Sequence, residues 1–278
     1  MDIANKVVVL TGAGNGIGAA MAESMAAAGA RGVVVSDLNE TDAQRVAARI
    51  TASGGNALGM GADASSEAAI QGLVEAAEGT FGPVDLFCSN AGIVDEGGVE
   101  VSDTIWGRSW DINVMAHVYA ARAVLPGMIQ RGSGYLLSTC SAAGLLTSPN
   151  AAPYAVTKHA AIALAEWLSI MHGDAGIRVS VICPQAVRTR LLEDSIGSGN
   201  SASRAFAQMG NLLEPEEVAN CVMRGITNEE FLILPHPEVK GFVQRKAENI
   251  DRWLSGMRRF LAKIRNVNDL VRPEKNVL

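Results

Sequence analysis

Seven short apolar runs punctuate the chain: KVVVL (6–10), GVVVS (32–36), ALGMGA (57–62), VDLFCS (84–89), GYLLST (134–139), IRVSVIC (177–183) and EFLILP (230–235). They are nearly continuous rather than alternating, the pattern of strands buried on both faces of a parallel sheet. Between them lie longer stretches with apolar residues three and four apart, such as AAMAESMAAAG, TDAQRVAARITASG and EAAIQGLVEAAEGTFG. Two of these close at a glycine soon after the periodicity stops, as helices do. Strand–helix alternation from end to end predicts an α/β fold, a doubly wound parallel sheet of about seven strands with right-handed crossovers. No repeat, low-complexity tract or linker divides the chain, so residues 1–278 read as a single domain. Two segments depart from the alternation. Residues 188–210 hold a Gly/Ser centre between short helical pieces and read as a loop, and residues 237–278 form a helical extension.

The 278 residues, 48% of them hydrophobic, suffice for a sizeable core. A net charge of −6 gives no general nucleic-acid surface. Cys88, Cys140, Cys183 and Cys221 form no C-x-x-C pair, and three sit in or beside strand-like runs where a thiol behaves as a small hydrophobe. The N-terminus has no basic region leading into a long apolar stretch, and no apolar run reads as a bilayer span. A reducing, cytoplasmic location is the expectation. Met21, Met25 and Met171 read as core filler, and the four histidines have no metal-ligand spacing, so no metal is expected.

Chemistry enters directly after the first strand, at TGAGNGIG. Gly12, Gly16 and Gly18 permit a tight turn, close approach of backbone to a pyrophosphate, and close helix–strand packing. The helix that follows aims free N–H groups and its positive dipole end at phosphates. The second strand ends in Asp37, a carboxylate placed to accept hydrogen bonds from both adenosine-ribose hydroxyls. A 2′-phosphate would meet like charge there, and neither Asn15 nor Leu38 supplies a cation, which favours NAD over NADP. The competing role for Asp37, a helix N-cap, falls instead to Asn39 or Thr41. Farther on, PYAVTKHA puts Tyr154 and Lys158 on one helical face at i and i+4. An ammonium close to a phenol favours the phenolate, so this pair reads as a tuned proton donor and acceptor.

Together these residues resemble the short-chain dehydrogenase/reductase family over roughly residues 5–235, in the branch whose single Rossmann domain binds NAD(P) and carries the catalytic site. TGAGNGIG matches the family's TGxxxGIG loop, with Asn15 and Ile17 inside it, and YAVTK matches its YxxxK. Asp63 and Ala64 fall where the family contacts adenine, and Asn90, Ala91 and Gly92 match the motif closing the fourth strand. Asn113 matches its helix asparagine, and Ser141, thirteen residues before Tyr154, its serine, with Ser138 as competitor. The resemblance implies that Tyr154 exchanges the alcohol proton and Ser141 holds the substrate oxygen. It further implies that Lys158 bonds the nicotinamide ribose and Asn113 organises a relay water. Free tyrosine titrates near ~10, so a base near neutrality needs a drop of about 2–3 pH units, expected here from Lys158 and the nicotinamide.

Pro184, Val187 and Thr189 keep family positions, but Gln185 stands where a glycine is usual, either offering an amide to substrate or filling the loop. Leu145, Leu146, Leu191, Leu192, Ile196, Phe206 and Met209 fall beside the catalytic tyrosine by resemblance and imply an apolar alcohol or ketone as partner. The expected activity is NAD-dependent oxidation of a secondary alcohol. Its alternatives are an NADPH-dependent 3-ketoacyl reductase and a non-catalytic dinucleotide sensor. In the extension, residues 240–265 read as one helix with an apolar stripe at Ile250, Trp253, Leu254, Met257, Phe260, Leu261 and Ile264. This segment carries eight Lys/Arg against Glu248 and Asp251, a net +6 that leaves −12 for the rest. Packing on its own domain or on a partner subunit of a homodimer or homotetramer ranks first for the stripe, ahead of a lid over the substrate site, and membrane contact comes last.

Overall fold

The computed structural model describes residues 1–197 and 212–271, without the side chains of Ser195 and 264–271. Its strands are β1 (Val7–Leu10), β2 (Gly32–Asp37), β3 (Ala57–Gly61), β4 (Leu86–Ser89), β5 (Gly134–Thr139), β6 (Ile177–Ile182) and β7 (Leu232–Ile233). They form one parallel sheet in the order β3-β2-β1-β4-β5-β6-β7. Val8 pairs with Val33 on one side and Leu86 on the other. All four residues of β1 are fully buried, because odd and even positions feed opposite layers. Val8 and Leu10 join Met21, Met25 and Val222 in one layer, while Val7 and Val9 join Ile70, Leu73 and Val124 in the other. The near-continuous apolar runs therefore are strands covered on both faces, as the sequence predicts. Strand order reverses between β1 and β4, and the carboxyl ends of the strands on either side of that switch open a crevice.

The helices are α1 (Gly16–Ala27), α2 (Glu40–Ala52), α3 (Glu67–Phe81), α4 (Asp103–Trp110), α5 (Ala116–Arg131), α6 (Ala143–Leu146), α7 (Ala152–His172), α8 (Arg190–Gly197), α9 (Pro215–Asn228), α10 (Glu238–Glu248) and α11 (Ile250–Val271). A single π-helical turn, Asp111–Met115, joins α4 to α5. Pro153 in the first turn of α7 is tolerated there because its missing N–H would have had no helical partner. Asn39 caps α2, accepting from the backbone N–H of Thr41 at 3.1 Å and of Asp42 at 3.3 Å, which leaves Asp37 free of that duty.

Three sequence expectations fail. Residues 240–265 are not one helix. Asn249 is extended (φ −156°, ψ 97°) and its Oδ1 accepts the Arg252 N–H at 2.9 Å, so an N-cap starts α11 where periodicity alone continued the helix. The two helices meet through Phe242 and Trp253, with ring centroids 6.5 Å apart. Met171 is not core; it is 56% exposed at the end of α7. Finally, the continuous helical run Asp103–Arg131 is long and apolar enough to cross a membrane, although 44% of its apolar window is buried inside the protein. Ala116, Ala120 and Val124 of that run pack against the sheet with Leu73 and Phe87, the arrangement of a core helix.

Candidate active site

One cleft of about 860 Å³ lies at the carboxyl ends of the strands and gathers most of the residues singled out from sequence. Gly12, Asn15, Gly16, Ile17, Asp37, Leu38, Asp63, Ala64, Asn90, Ala91, Gly92, Pro184, Val187 and Thr189 all line it. Gly12 (φ +59°) and Gly16 (φ +54°) adopt backbone angles that a side chain resists. A Cβ on Gly12 would lie 2.7 Å from Ala91 Cα, and one on Gly16 3.0 Å from Thr189 Cγ2. Asn15 precedes α1 without capping any amide through its side chain, so that helix end offers its N–H groups to the cleft. Such a bare, cationic cradle fits a pyrophosphate.

Gly18 supports the cradle from behind, since a Cβ there would meet Gly12 O at 2.4 Å and Asn90 Nδ2 at 2.5 Å. Asn90 is the clamp. Its Nδ2 donates to Thr11 O and Gly12 O at 3.1 and 2.8 Å, and its Oδ1 accepts Thr139 Oγ1 at 2.9 Å, joining β1, β4 and β5. Asp37 accepts the N–H of Gly14 at 2.9 Å through Oδ2 and that of Asn39 at 3.1 Å through Oδ1. Arg190, missed from sequence, also lines the cleft, and Arg45 lies near Gly14. Both cations are held by the buried carboxylate of Asp42, at 3.3 and 2.6 Å. Arg45 first, and Arg190 after it, hold that carboxyl below its usual range.

Ser141, Tyr154 and Lys158 converge on the same cleft from the loop after β5 and the first turns of α7. Ser141 hydrogen-bonds the Tyr154 phenol and accepts the Ala143 N–H at 3.1 Å. Ser138 instead faces away, its Oγ 3.1 Å from His117 Nδ1 in the buried layer, so the choice between the two serines falls to Ser141. Lys158 is buried, donates to Thr139 O at 2.8 Å, and carries its ammonium 5.7 Å from the Tyr154 ring centroid. Burial pulls the Lys158 pKa down. Burial also pushes the Tyr154 phenol up to about 12, against the lowering effect of its Ser141 hydrogen bond. In the protein alone, loss of water around the phenol thus moves its pKa opposite to the drop expected from Lys158 and the nicotinamide together.

Asn113 does not line the cleft. It is fully buried in the π-helical turn, donating to Ile93 O at 3.0 Å and Thr157 Oγ1 at 3.1 Å while accepting Ile93 N at 3.0 Å. With its side chain spent, what remains for a water is the backbone that a π-turn leaves without its usual partner. Among the substrate candidates, Gln185, Leu191 and Leu192 line the cleft. Gln185 donates its N–H to Nδ1 of buried His236 at 3.1 Å, a support that sequence reasoning assigned no role. Leu145 is half-buried against the neighbouring clusters and does not line the cleft, while its neighbour Leu146, buried, does, since adjacent helical residues point to different faces. Ile196 is not on the wall, and Phe206 and Met209 lie outside the described residues. The extension completes the wall with Glu238, Phe242, Arg245, Trp253, Met257 and Phe260. Part of the stripe thus covers the cleft, while Ile250 and Leu254 remain 48% exposed at its edge.

Comparison with known proteins agrees with this geometry. The short chain dehydrogenase family profile matches residues 6–197. The chain is 30% identical over 259 residues to 1-deoxy-11-beta-hydroxypentalenate dehydrogenase of Streptomyces exfoliatus, covering 92% of each chain. It is 34% identical over 220 residues to cyclohexanol dehydrogenase of Acinetobacter sp. (strain SE19), covering 78% of this chain and 86% of that one. A short chain dehydrogenase/reductase from Burkholderia phymatum, solved in complex with NAD, superposes with a TM-score of 0.82 at 30% identity, over 90% of this chain and 96% of that one.

Proposed function

Because the chain belongs to the short-chain dehydrogenase family, we propose that it is an NAD-dependent dehydrogenase interconverting an apolar, ring-bearing secondary alcohol and its ketone. The observation that carries this reading is the convergence of Ser141, Tyr154 and Lys158 on the cleft that also holds the glycine cradle and Asp37. When bound, NAD supplies the hydride acceptor for oxidation and the donor for reduction. Gly12, Gly16 and the α1 N-terminus would hold its pyrophosphate, Asp37 its adenosine ribose, and Lys158 its nicotinamide ribose.

The phenol of Tyr154 is neutral at pH 7, so in reduction it donates its proton to the ketone oxygen. In oxidation the same oxygen must first lose that proton to serve as base, which makes oxidation gain with rising pH. Ser141 holds the substrate oxygen and stabilises charge developing on it. Leu146, Leu192 and the aromatic side chains of the extension exclude water and favour an apolar body. The relatives that act on cyclohexanol and on hydroxypentalenate support a ring substrate. The test follows NADH absorbance over a panel of ring, chain and polyol alcohols. Ring alcohols should be the best substrates, and Tyr154→Phe should lower kcat by a factor of roughly 10² or more while NADH binding persists. Undiminished turnover by that variant would sink the mechanism.

A further inference from the structure

Arg245 is the one cation that the extension places on the cleft wall among the described residues, beside the aromatic Phe242, Trp253 and Phe260. Its guanidinium lies over the Phe242 ring, 4.9 Å from the centroid, and among the described residues it makes no ion pair and no hydrogen bond. The contrast is Arg190, the other arginine on the wall, which Asp42 holds at 3.3 Å. Stacking on an aromatic face leaves the guanidinium edge and its forked donors free.

The placement of α10 is fixed. Its next residue, Lys246, donates to Leu145 O at 2.6 Å, and Val239 is fully buried, so the helix is tied to α6 at both ends. The wall also carries Glu238 and Asp194. Glu238 precedes Arg245 by seven residues, about 10 Å along a helix, far enough for the two to act separately. The segment that delivers Arg245 is basic, with a net charge of +6 over residues 240–265.

We propose that Arg245 recognises a carboxylate on the substrate, which makes the substrate class an apolar ring alcohol bearing an acid group remote from the carbinol. This rests on the dehydrogenase reading above. A carboxylate matches the guanidinium fork with two parallel hydrogen bonds, a geometry that lysine does not reproduce. The relative whose name specifies a hydroxypentalenate is consistent with an acid of this kind.

The test compares 3- and 4-hydroxycyclohexanecarboxylic acid and a larger hydroxylated bicyclic acid, each against its methyl ester, in the unaltered enzyme and in Arg245→Gln and Arg245→Lys. The expected result is an acid-over-ester preference in kcat/KM of about tenfold or more, carried by KM, that collapses in Arg245→Gln and returns in part in Arg245→Lys. A better ester than acid in the unaltered enzyme, or the same acid preference in Arg245→Gln, would overturn the proposal and leave the dehydrogenase reading intact. If no alcohol in any panel is oxidised, that reading itself fails. The role of Arg245 is then still decided by titrating cyclohexanecarboxylate against Trp253 fluorescence. Saturable binding weakened in Arg245→Gln supports the anion site, and equal or absent binding in both proteins removes it.

Discussion

Acidification from pH 7 to pH 5 should destabilise the protein by about 2 kcal/mol through His117 alone. His117 is 4% exposed on α5, with Nδ1 3.1 Å from Ser138 Oγ and Nε2 without a hydrogen-bond partner among the described residues. Burial, and secondarily the positive charge of Lys158, depress its pKa from 6.5 to about 3. Between these two values the unfolded chain takes up a proton that the folded protein refuses. Stability therefore falls as pH drops below about 6.5 and continues to fall until about 3. At pH 5 the unfolded histidine is roughly 1.5 pH units below its titration point, and each unit is worth about 1.4 kcal/mol. The assay is urea denaturation at pH 7 and pH 5 on the unaltered protein and on His117→Gln. The variant loses some stability at both pH values because its packing changes, so only the difference in pH dependence counts. That difference should be about 2 kcal/mol, the unaltered protein being the more acid-sensitive. Equal pH dependence in the two proteins would refute the reasoning and place a proton, or a bridging water, on His117 in the native state.

Three further outcomes follow from particular contacts. Asp37→Ala should reduce a preference for NAD⁺ over NADP⁺ in kcat/KM that is about tenfold or more in the unaltered enzyme, and equal use of both cofactors before substitution would contradict it. Gly14→Ala puts a Cβ 2.9 Å from Asp37 Oδ2 and 2.8 Å from Asp42 Cβ, so calorimetry should show weaker NAD binding with kcat for ring alcohols nearly kept at saturating cofactor. Trp167, Ile170 and Met171 are 53%, 80% and 56% exposed along α7, and such a stripe is expected to be covered by a second copy in a homodimer or homotetramer. Trp167→Glu combined with Ile170→Glu should lower the mass measured by light scattering, and an unchanged mass would remove this surface as an interface.

The parts legible in the sequence were those encoded by local pattern. Strand β1 could be read because VVVL is buried on both faces, and the glycine cradle because Gly12 and Gly16 must adopt positive φ within a few residues of a strand end. Asp37 could be read because its competing capping role was visibly filled by Asn39. The illegible parts depend on long-range approach. Arg190 reaches Asp42 from 148 residues away, and His236 supports Gln185 from 51 residues away. No periodicity announces either contact. The break at Asn249 was different: an asparagine just before a helical run with Asp251 in its first turn is a capping signal, but no glycine or proline stands there to mark the end of the preceding helix. Periodicity reports which side chains share an environment. It does not report whether one helix or two deliver them there.

The opposite directions taken by Tyr154 and Lys158 bear on when the site becomes reactive. Burial raises the phenol to about 12 and lowers the ammonium, so desolvation acts on both groups against their charged forms. The ammonium is hydrogen-bonded to Thr139 O and lies 5.7 Å from the centroid of the Tyr154 ring. With the protein alone, the stable pair is thus a neutral phenol beside a partly desolvated cation. That suits proton donation to a ketone and opposes proton abstraction from an alcohol. Abstraction needs further positive charge brought next to the phenol, and an oxidised nicotinamide carries it. The protein on its own therefore should hold no reactive phenolate exposed to water. Difference absorbance of tyrosinate should appear at lower pH with NAD⁺ than without it, and should vanish in Tyr154→Phe. A phenolate signal at the same pH with and without NAD⁺ would show that Lys158 activates the tyrosine unaided, contrary to the burial argument.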